Sequence, residues 1–416
     1  MKRLLLMLAL GLTAGLPAAE PKVALLGPFP PEQSVETLSA QMALDAANTG
    51  PGAPRLKLAV FNGGDDDNSN LQAARKLVAD PEVVAVVLHG EAAAAPAVLA
   101  ELKQAGLAVV SATSWAQPRS LSAGVTWLCP SLPSMADSAA IYARRQARSS
   151  QVAVVDNGSP TSTAATRAFA ERFRAMGGKV PFEGTWTGDP AVLKELVTNM
   201  GAHWPQMVFF VGDGATAGRL LVAMKAEKSL KNADLIGPPS LFEPAFFEEA
   251  RLKSLRTRGL FPCPDFSGSG PLARFIGFAF PRTSPEYKAY VRFAYRRPER
   301  WTSMLFDATA LAARAVDQAA TADSRPAAGM DQGLSPSAQS VSPSAGTVPV
   351  ASGEAPSRAA VASALAGLGG YRGIRGQVKF SASREPVEAK VMVYYALNRV
   401  NKKEMMWREK AYGPPF

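Results

Sequence analysis

Val83-Val84-Ala85-Val86-Val87-Leu88-His89-Gly90 is the stretch that decides the fold. Its first six residues are apolar without interruption, and Gly90 closes the run. A strand that is apolar throughout is buried on both faces, as a parallel sheet covered by helices requires. The same layout recurs on either side. Apolar runs at 23–27, 56–61 and 107–110 end at Gly27-Pro28, Gly63-Gly64 and Ser111. Between them lie amphipathic stretches such as 71–78, where Leu71, Ala74, Arg75 and Val78 fall one turn apart. Sheets of this kind bind ligands in the loops leaving the carboxyl ends of their strands. The candidate site loops are therefore those that follow these runs.

From Trp127 onward the pattern restarts. The spacing predicts helices over 132–147, 164–176, 191–200 and 215–225, alternating with strands at 152–156, 180–186, 207–211 and 235–237. This reads as a second parallel sheet of similar size. Further on, the pattern predicts a strand at 259–261, a helix at 284–295 and a long Ala-rich helix at 303–320. Composition then shifts, because 321–357 is Pro, Ser, Ala and Gly without aromatics. Such a segment buries too little apolar surface to offset the entropy of ordering, which predicts a disordered insertion. A glycosylated or partner-binding tail is the alternative. A helix at 358–368 and strands at 378–380 and 391–396 complete the chain.

The first residues carry a separate signal. Met1-Lys2-Arg3 is basic, 4–16 is apolar, and 14–19 supplies small residues suited to cleavage after Ala19. This pattern is a secretory signal peptide, too short for a transmembrane span, with a hydrophobic N-terminal anchor as the other reading. No cysteine follows the apolar core, which excludes lipid anchoring there. The expectation is a soluble chain in the periplasm or another extracytoplasmic compartment. About 395 residues would remain after cleavage, which suits two domains. The two cysteines, Cys129 and Cys263, would then meet oxidising conditions, where a disulfide between them can form if they come together.

The formal charge of +10 raises the question of nucleic acid. Export and the scatter of basic residues argue against it. The densest cluster, Arg292, Arg296, Arg297 and Arg300, reads as a solvated helix end, or alternatively as a docking patch. Asp65-Asp66-Asp67-Asn68 has the composition of a metal loop, but lacks the Gly and distal Glu of a calcium loop. Capping of the next helix by Asp67 or Asn68 is the simpler reading. The two histidines, His89 and His203, have no metal-ligand spacing. There is no nucleophile-elbow sequence, and Gly27-Pro28-Phe29-Pro30-Pro31 cannot present consecutive N–H groups to a phosphate. The chain does not read as an enzyme, and no cofactor is expected.

Taken in order, these segments resemble the type I periplasmic solute-binding proteins, in the branched-chain amino-acid and amide branch. The residues that carry the resemblance are the opening strand 23–28, the helix 68–78 after an acidic loop, 83–90, and Ala105-Gly106 leading into 107–111. They continue through 152–156, 207–212, Phe306-Asp307-Ala308, and 376–380 followed by 391–395 as a closing hairpin. The resemblance implies an α/β fold of two Rossmann-like lobes with parallel sheets flanked by helices, joined by three hinge segments. Lobe 1 would comprise 20–126 and 262–372, and lobe 2 residues 127–261 and 373–416. The crossings would fall near 126–130, 259–264 and 371–376. It further implies a monomer that closes on a small ligand between the lobes and delivers it to an inner-membrane ABC permease.

In relatives that bind amino acids, the loop after the third strand offers hydroxyls and N–H groups to the ligand carboxylate. Here that loop is His89-Gly90-Glu91-Ala92-Ala93-Ala94-Ala95, which keeps N–H groups at a helix start but no hydroxyl. Glu91 is either a ligand contact or a helix-start acid. After the fourth strand, Ser111-Ala112-Thr113-Ser114-Trp115 keeps two hydroxyls and adds a ring that would stack on a ligand or plug the cleft. In the second lobe the ligand-facing aromatic maps to Asp213-Gly214, and the carboxylate for a ligand ammonium maps to Pro239. Asp213 or Glu243 would supply the missing charge from nearby. Asn157, Ser159, Ser240 and Phe29 complete the candidate contacts. Recognition of an α-amino-acid zwitterion is broken on both sides. The second reading is therefore a sensor or regulatory envelope protein with the same fold and no role in transport.

Overall fold

In a computed structural model, the described residues are 20–29, 34–49, 55–64, 66–90, 92–113, 124–242, 244–250, 257–261, 302–323, 355–373, 376–387, 392–401 and 404–410. The predicted helix at 284–295, the arginine cluster at 292–300, Cys263 and most of the predicted insertion lie outside them. The chain divides into two compact units. One holds the described residues of Met1–Ser111, Gly124–Thr126 and Leu305–Tyr371, the other those of Ala112–Ala123, Trp127–Met304 and Arg372–Phe416.

The first unit opens with β1 (Lys22–Gly27), α1 (Val35–Ala47), β2 (Lys57–Asn62), α2 (Asp67–Ala79), β3 (Val83–Leu88), α3 (Pro96–Gln104), β4 (Ala108–Ser111) and β5 (Val125–Trp127). The sheet order is β2-β1-β3-β4-β5. β1 pairs in parallel with β2 and β3, and β3 with β4. All six residues of β3 are buried, as its unbroken apolar run requires. β2 differs: it is the edge strand, with Leu58, Ala59 and Phe61 half-buried and no residue fully buried, so its apolar run does not mean burial on both faces. Helix capping follows local chemistry. Ser34 caps α1 in a capping box with Thr37, and Asp66 caps α2 by accepting from the Ser69 N–H. The acidic loop therefore does cap the helix, but from Asp66, one residue before Asp67 and two before Asn68.

The second unit continues with α4 (Leu132–Ile141), a π-helical turn (Tyr142–Gln146), β6 (Gln151–Asp156), α5 (Pro160–Ala175), β7 (Lys179–Thr185), α6 (Pro190–Gly201), β8 (Met207–Val211), α7 (Gly214–Ala226), β9 (Asp234–Gly237), α8 (Pro244–Ala250) and β10 (Thr257–Phe261). The strand period of two places apolar residues on both faces. Val152 and Val154 of β6 and Met207, Phe209 and Val211 of β8 pack with α4 and α5. Ala153, Val155, Val208 and Phe210 face the opposite way, against α6, α7 and α8. Phe209 stacks on Phe169 of α5 with ring centroids 4.2 Å apart.

The last elements are α9 (Thr302–Asp323), α10 (Arg358–Gly367), β11 (Gly370–Gly373), β12 (Gly376–Phe380), β13 (Pro386–Val387), β14 (Met392–Asn401) and β15 (Glu404–Lys410). α9 extends three residues into the predicted insertion, and Ser357 at its other end caps α10. In the first unit, Arg358 clasps distant backbone: Nε donates to Val83 O at 2.9 Å, and Nη2 to Val78 O at 3.0 Å and Asp80 O at 2.6 Å. The closing strands correct two expectations. β12 turns back on β13, not on the strand at 391–395. β14 instead pairs antiparallel with β10 and β15, giving the order β15-β14-β10-β9-β8-β6-β7. The second sheet is thus mixed rather than wholly parallel, with its parallel part spanning β7 to β10.

Candidate functional site

Both sheets reverse their strand order about a central strand. In the first unit the chain runs from β1 outward to β2 and then crosses to β3, so the switch point lies between β1 and β3. In the second it lies between β6 and β8. Ligands of doubly wound sheets bind outside the carboxyl ends of the strands at such points.

At the first switch point, backbone and rings approach closely. A Cβ on Gly27 would lie 2.2 Å from the carbonyl oxygen of His89, so the two loops approach as closely as only glycine permits. The His89 N–H donates to Leu26 O at 2.9 Å, and the Gly63 N–H to Gly27 O at 2.9 Å. Phe29, 1% exposed, stacks on His89 with centroids 5.6 Å apart. Burial of the imidazole lowers the His89 pKa to about 4, against the pull of the Glu36 carboxylate, so the ring is neutral at pH 7. Asn70 of α2 holds the neighbouring loop, its Nδ2 donating to the carbonyls of Gly63 (3.1 Å), Gly64 (3.0 Å) and Asp66 (2.8 Å).

Farther along the same edge, Ala92–Ala94 forms a 3-10 turn that leads into α3. The N-cap of α3 is Ala95, which gives no side-chain cap, whereas α1, α2 and α4 to α7 are each capped by Ser or Asp. Thr113 follows β4 and is 4% exposed. Ala93 is buried and Ala92 half-buried.

At the second switch point, polar side chains organise the loops. Asn157 Oδ1 accepts from the Ser159 N–H (3.1 Å) and the Ser162 hydroxyl (2.6 Å). Asp213 caps α7 by accepting from the Thr216 N–H at 2.8 Å. Partial burial pushes the Asp213 carboxyl up, but the bonds from Thr216 and the charge of Arg219 leave its pKa below the ordinary value, so it is ionised at neutral pH. Its side chain is exposed. The Ser240 hydroxyl donates to Gly212 O at 2.6 Å, tying the loop after β9 to the loop after β8. Gly214 begins α7 and is buried.

Phe29, Ala92, Ala93 and Thr113 thus sit at the carboxyl edge of the first sheet, and Asn157, Asp213, Gly214 and Ser240 at that of the second. Glu91, Ser114, Trp115 and Glu243 lie outside the described residues, and so does Cys263 of the suggested disulfide; Cys129 is buried. Sequence reading missed His89 as a packing ring and the loop after β7. In that loop Gly188 has φ +97°, and a Cβ there would meet Thr216 Oγ1 at 3.4 Å and Arg219 Nη2 at 3.5 Å. The signal was present as Thr185-Trp186-Thr187-Gly188-Asp189, a strand end followed by Gly and a capping Asp. Among the described residues, no three His, Cys, Asp or Glu side chains group as a metal site. No described helix is long and apolar enough to cross a membrane.

Comparison with known proteins agrees with this geometry. No curated protein matches the chain. Among solved structures, a leucine-binding protein from Thermotoga maritima superposes with a TM-score of 0.64 at 14% identity, covering 95% of this chain and 99% of its own. A branched-chain amino-acid transporter substrate-binding protein from Streptococcus pneumoniae, solved with isoleucine, gives 0.66 at 15% identity, covering 93% and 99%. A solute-binding protein from R. palustris, solved with benzoate, gives 0.62 at 12% identity, covering 93% and 95%. At these identities the likeness establishes the fold, that of the type I periplasmic binding proteins. The family model for periplasmic binding proteins matches residues 25–245, more than half of the sequence, and the chain belongs to that family.

Proposed function

We propose that this protein is an exported solute-binding protein of an ABC uptake system. It would capture one small polar or amphipathic molecule with the carboxyl-end loops of both units and pass it to an inner-membrane permease. The observation that carries the reading is the pair of switch points, one per unit, each at the carboxyl ends of parallel strands. The proposed contacts are Phe29, Glu91, Ala92, Ala93, Thr113, Ser114 and Trp115 from the first side, and Asn157, Asp213, Gly214 and Ser240 from the second. The uncapped first turn of α3 favours a ligand with a negative or hydrogen-bond-accepting group. Relatives solved with isoleucine and with benzoate show that the fold serves both aliphatic and aromatic acids. The missing zwitterion contacts favour something other than an ordinary α-amino acid. Cleavage after Ala19, a periplasmic location without a lipid anchor, and a monomeric state belong to the same proposal.

One observation favours the second reading, a sensor or regulatory envelope protein. Asn157, Asp213 and Ser240 each hydrogen-bond within their own unit, so less of their polarity is left for a ligand. A thermal-shift screen against amino acids, amides, ureas, short carboxylates and aromatic acids separates the two. A ligand at a hundredfold excess over its dissociation constant adds about 2.7 kcal/mol of stability. A clear shift that Trp115→Ala weakens supports solute capture. No shift across the panel, with a folded and monodisperse sample, overturns it in favour of the partner role.

A further inference from the structure

The opposite, amino-terminal edge of the second unit's sheet carries a feature that solute capture does not use. Strand order sets the loops there side by side: 227–233 before β9, 202–206 before β8, 147–150 before β6 and 176–178 before β7. Trp204, on the second of these, is 62% exposed, the most exposed large apolar side chain among the described residues. Its backbone is left-handed, with φ +51°, a conformation that a bulky residue rarely adopts. The loop is held in place. Gln206 Oε1 accepts from the N–H groups of Ser150 (2.6 Å) and Gln151 (3.2 Å), and the Lys179 N–H donates to Ser150 O at 2.8 Å. The indole is therefore presented outward on a fixed platform.

Basic residues flank it on both sides. Arg145 and Arg148 lead into β6, Lys179 begins β7, and Lys228 and Lys231 precede β9; all five are exposed. None forms an ion pair with another described residue. The carboxylates on these loops, Glu227 and Asp234, are half-buried, and Glu227 turns back to accept from the Ser229 hydroxyl at 3.1 Å.

We propose that this edge, with Trp204 at its centre and a cationic rim around it, docks reversibly on an anionic phospholipid surface. Indole rings favour the membrane–water interface, where an apolar body and a polar N–H are both satisfied. Lys and Arg beside it are attracted by acidic headgroups, by roughly fivefold in affinity for each residue near the surface. An acidic protein surface would match both charge and ring, but a rim of cations spread over three loops around a single indole fits the laterally uniform charge of a lipid surface better.

The test is co-sedimentation of the protein, recovered from the extracytoplasmic fraction of producing cells, with vesicles. One set mixes phosphatidylglycerol with phosphatidylcholine, and the other is phosphatidylcholine alone. Binding is expected to the anionic vesicles only and to vanish at high salt. Combined Arg145→Gln, Arg148→Gln and Lys179→Gln should weaken it by about a hundredfold, and Trp204→Ala by several-fold. A charge-matched set on the first unit, Arg55→Gln, Lys76→Gln and Lys103→Gln, should leave it nearly unchanged. Thermal melting checks that all variants fold. Equal loss in the two sets would assign the effect to net charge and overturn the proposal. Equal binding to neutral vesicles, or none to anionic ones, would overturn it as well, the latter pointing to a protein partner. Solute binding in the same variants should be unaffected, so failure of either reading is separately visible.

Discussion

At the switch point of the first unit, carbonyls, glycines and the stacked rings of Phe29 and His89 hold the loops together. At that of the second, Asn157, Asp213 and Ser240 do the corresponding work with side-chain hydrogen bonds. The winding is the same and the chemistry is not. Between β1 and β3 the first side presents a phenyl ring and a neutral imidazole, whereas the second presents an ionised carboxylate. Two units of the same winding can thus build their carboxyl-edge loops by different chemistry.

Substitutions should separate the two edges by size of effect. Gly27→Ala should be the most damaging, because its Cβ meets the backbone of His89, which cannot swing away; a loss of about 3 kcal/mol or more is expected in urea unfolding. Gly212→Ala meets the tip of the Phe210 ring at 2.5 Å and should cost about 1–2 kcal/mol. Equal losses would break the contrast between a backbone-filled and a side-chain-filled edge. Asn70→Ala should fall between these two substitutions, at about 2–3 kcal/mol, since the carbonyls of Gly63 and Gly64 lose their side-chain donor, while Asp66 O keeps the backbone N–H of residue 70.

Acid titration sharpens the comparison. A His with a lowered folded pKa contributes no penalty above its unfolded value near 6.5 and destabilises progressively as pH falls towards about 4. The loss should reach about 2 kcal/mol, less than for a sealed residue because His89 as a whole is only half-buried. His89→Gln should flatten this window in stability-against-pH measurements. Asp213, with a lowered pKa, stabilises the fold above its unfolded value of 3.8 and loses that contribution as pH falls below it. Asp213→Ala should cost about 1 kcal/mol at pH 7, as a lost helix cap does. The smallest effect is expected at Trp204→Gly, where relief of the left-handed backbone should raise stability by up to about 1 kcal/mol. A lower melting temperature there would show that the indole packs usefully in solution.

Much of this molecule was legible in the residues. The central strands β1, β3, β6 and β8 announce themselves as unbroken apolar runs, because a strand covered on both faces leaves no position for a polar side chain. Edge strands are less explicit. Leu58, Val60 and Phe61 look as apolar as a core strand, yet Val60 is 45% exposed in β2, since position in the sheet is a property of pairing and not of the segment. Pairing also explains the misread closing strands: nothing local in 391–396 says whether the partner is β12, β10 or β15. At the site, Asp213-Gly214-Ala215-Thr216 reads equally well as a ligand loop and as a helix cap. Geometry shows the cap directly and leaves the ligand to experiment. Gln206 was silent in sequence because it reaches backbone 55 and 56 residues away, and Asn70 because its bonds depend on how the loop four to seven residues earlier turns back on it.

The clasp made by Arg358 bears on when each half of the protein is finished. Its guanidinium satisfies carbonyls 275 to 280 residues earlier in the chain, at the end of α2 and the start of β3. The first unit begins at the amino terminus, yet it is completed only after residue 358 has been made. The second unit waits longer still, because β14 and β15 complete its sheet beside β10 and come later in the chain than Arg358. During synthesis the leading region therefore lingers without its last support, and the second unit likewise lacks its closing strands until the end of the chain has been made. For a chain that we propose is threaded across a membrane from its amino terminus, delay in that leading region keeps it slack during passage.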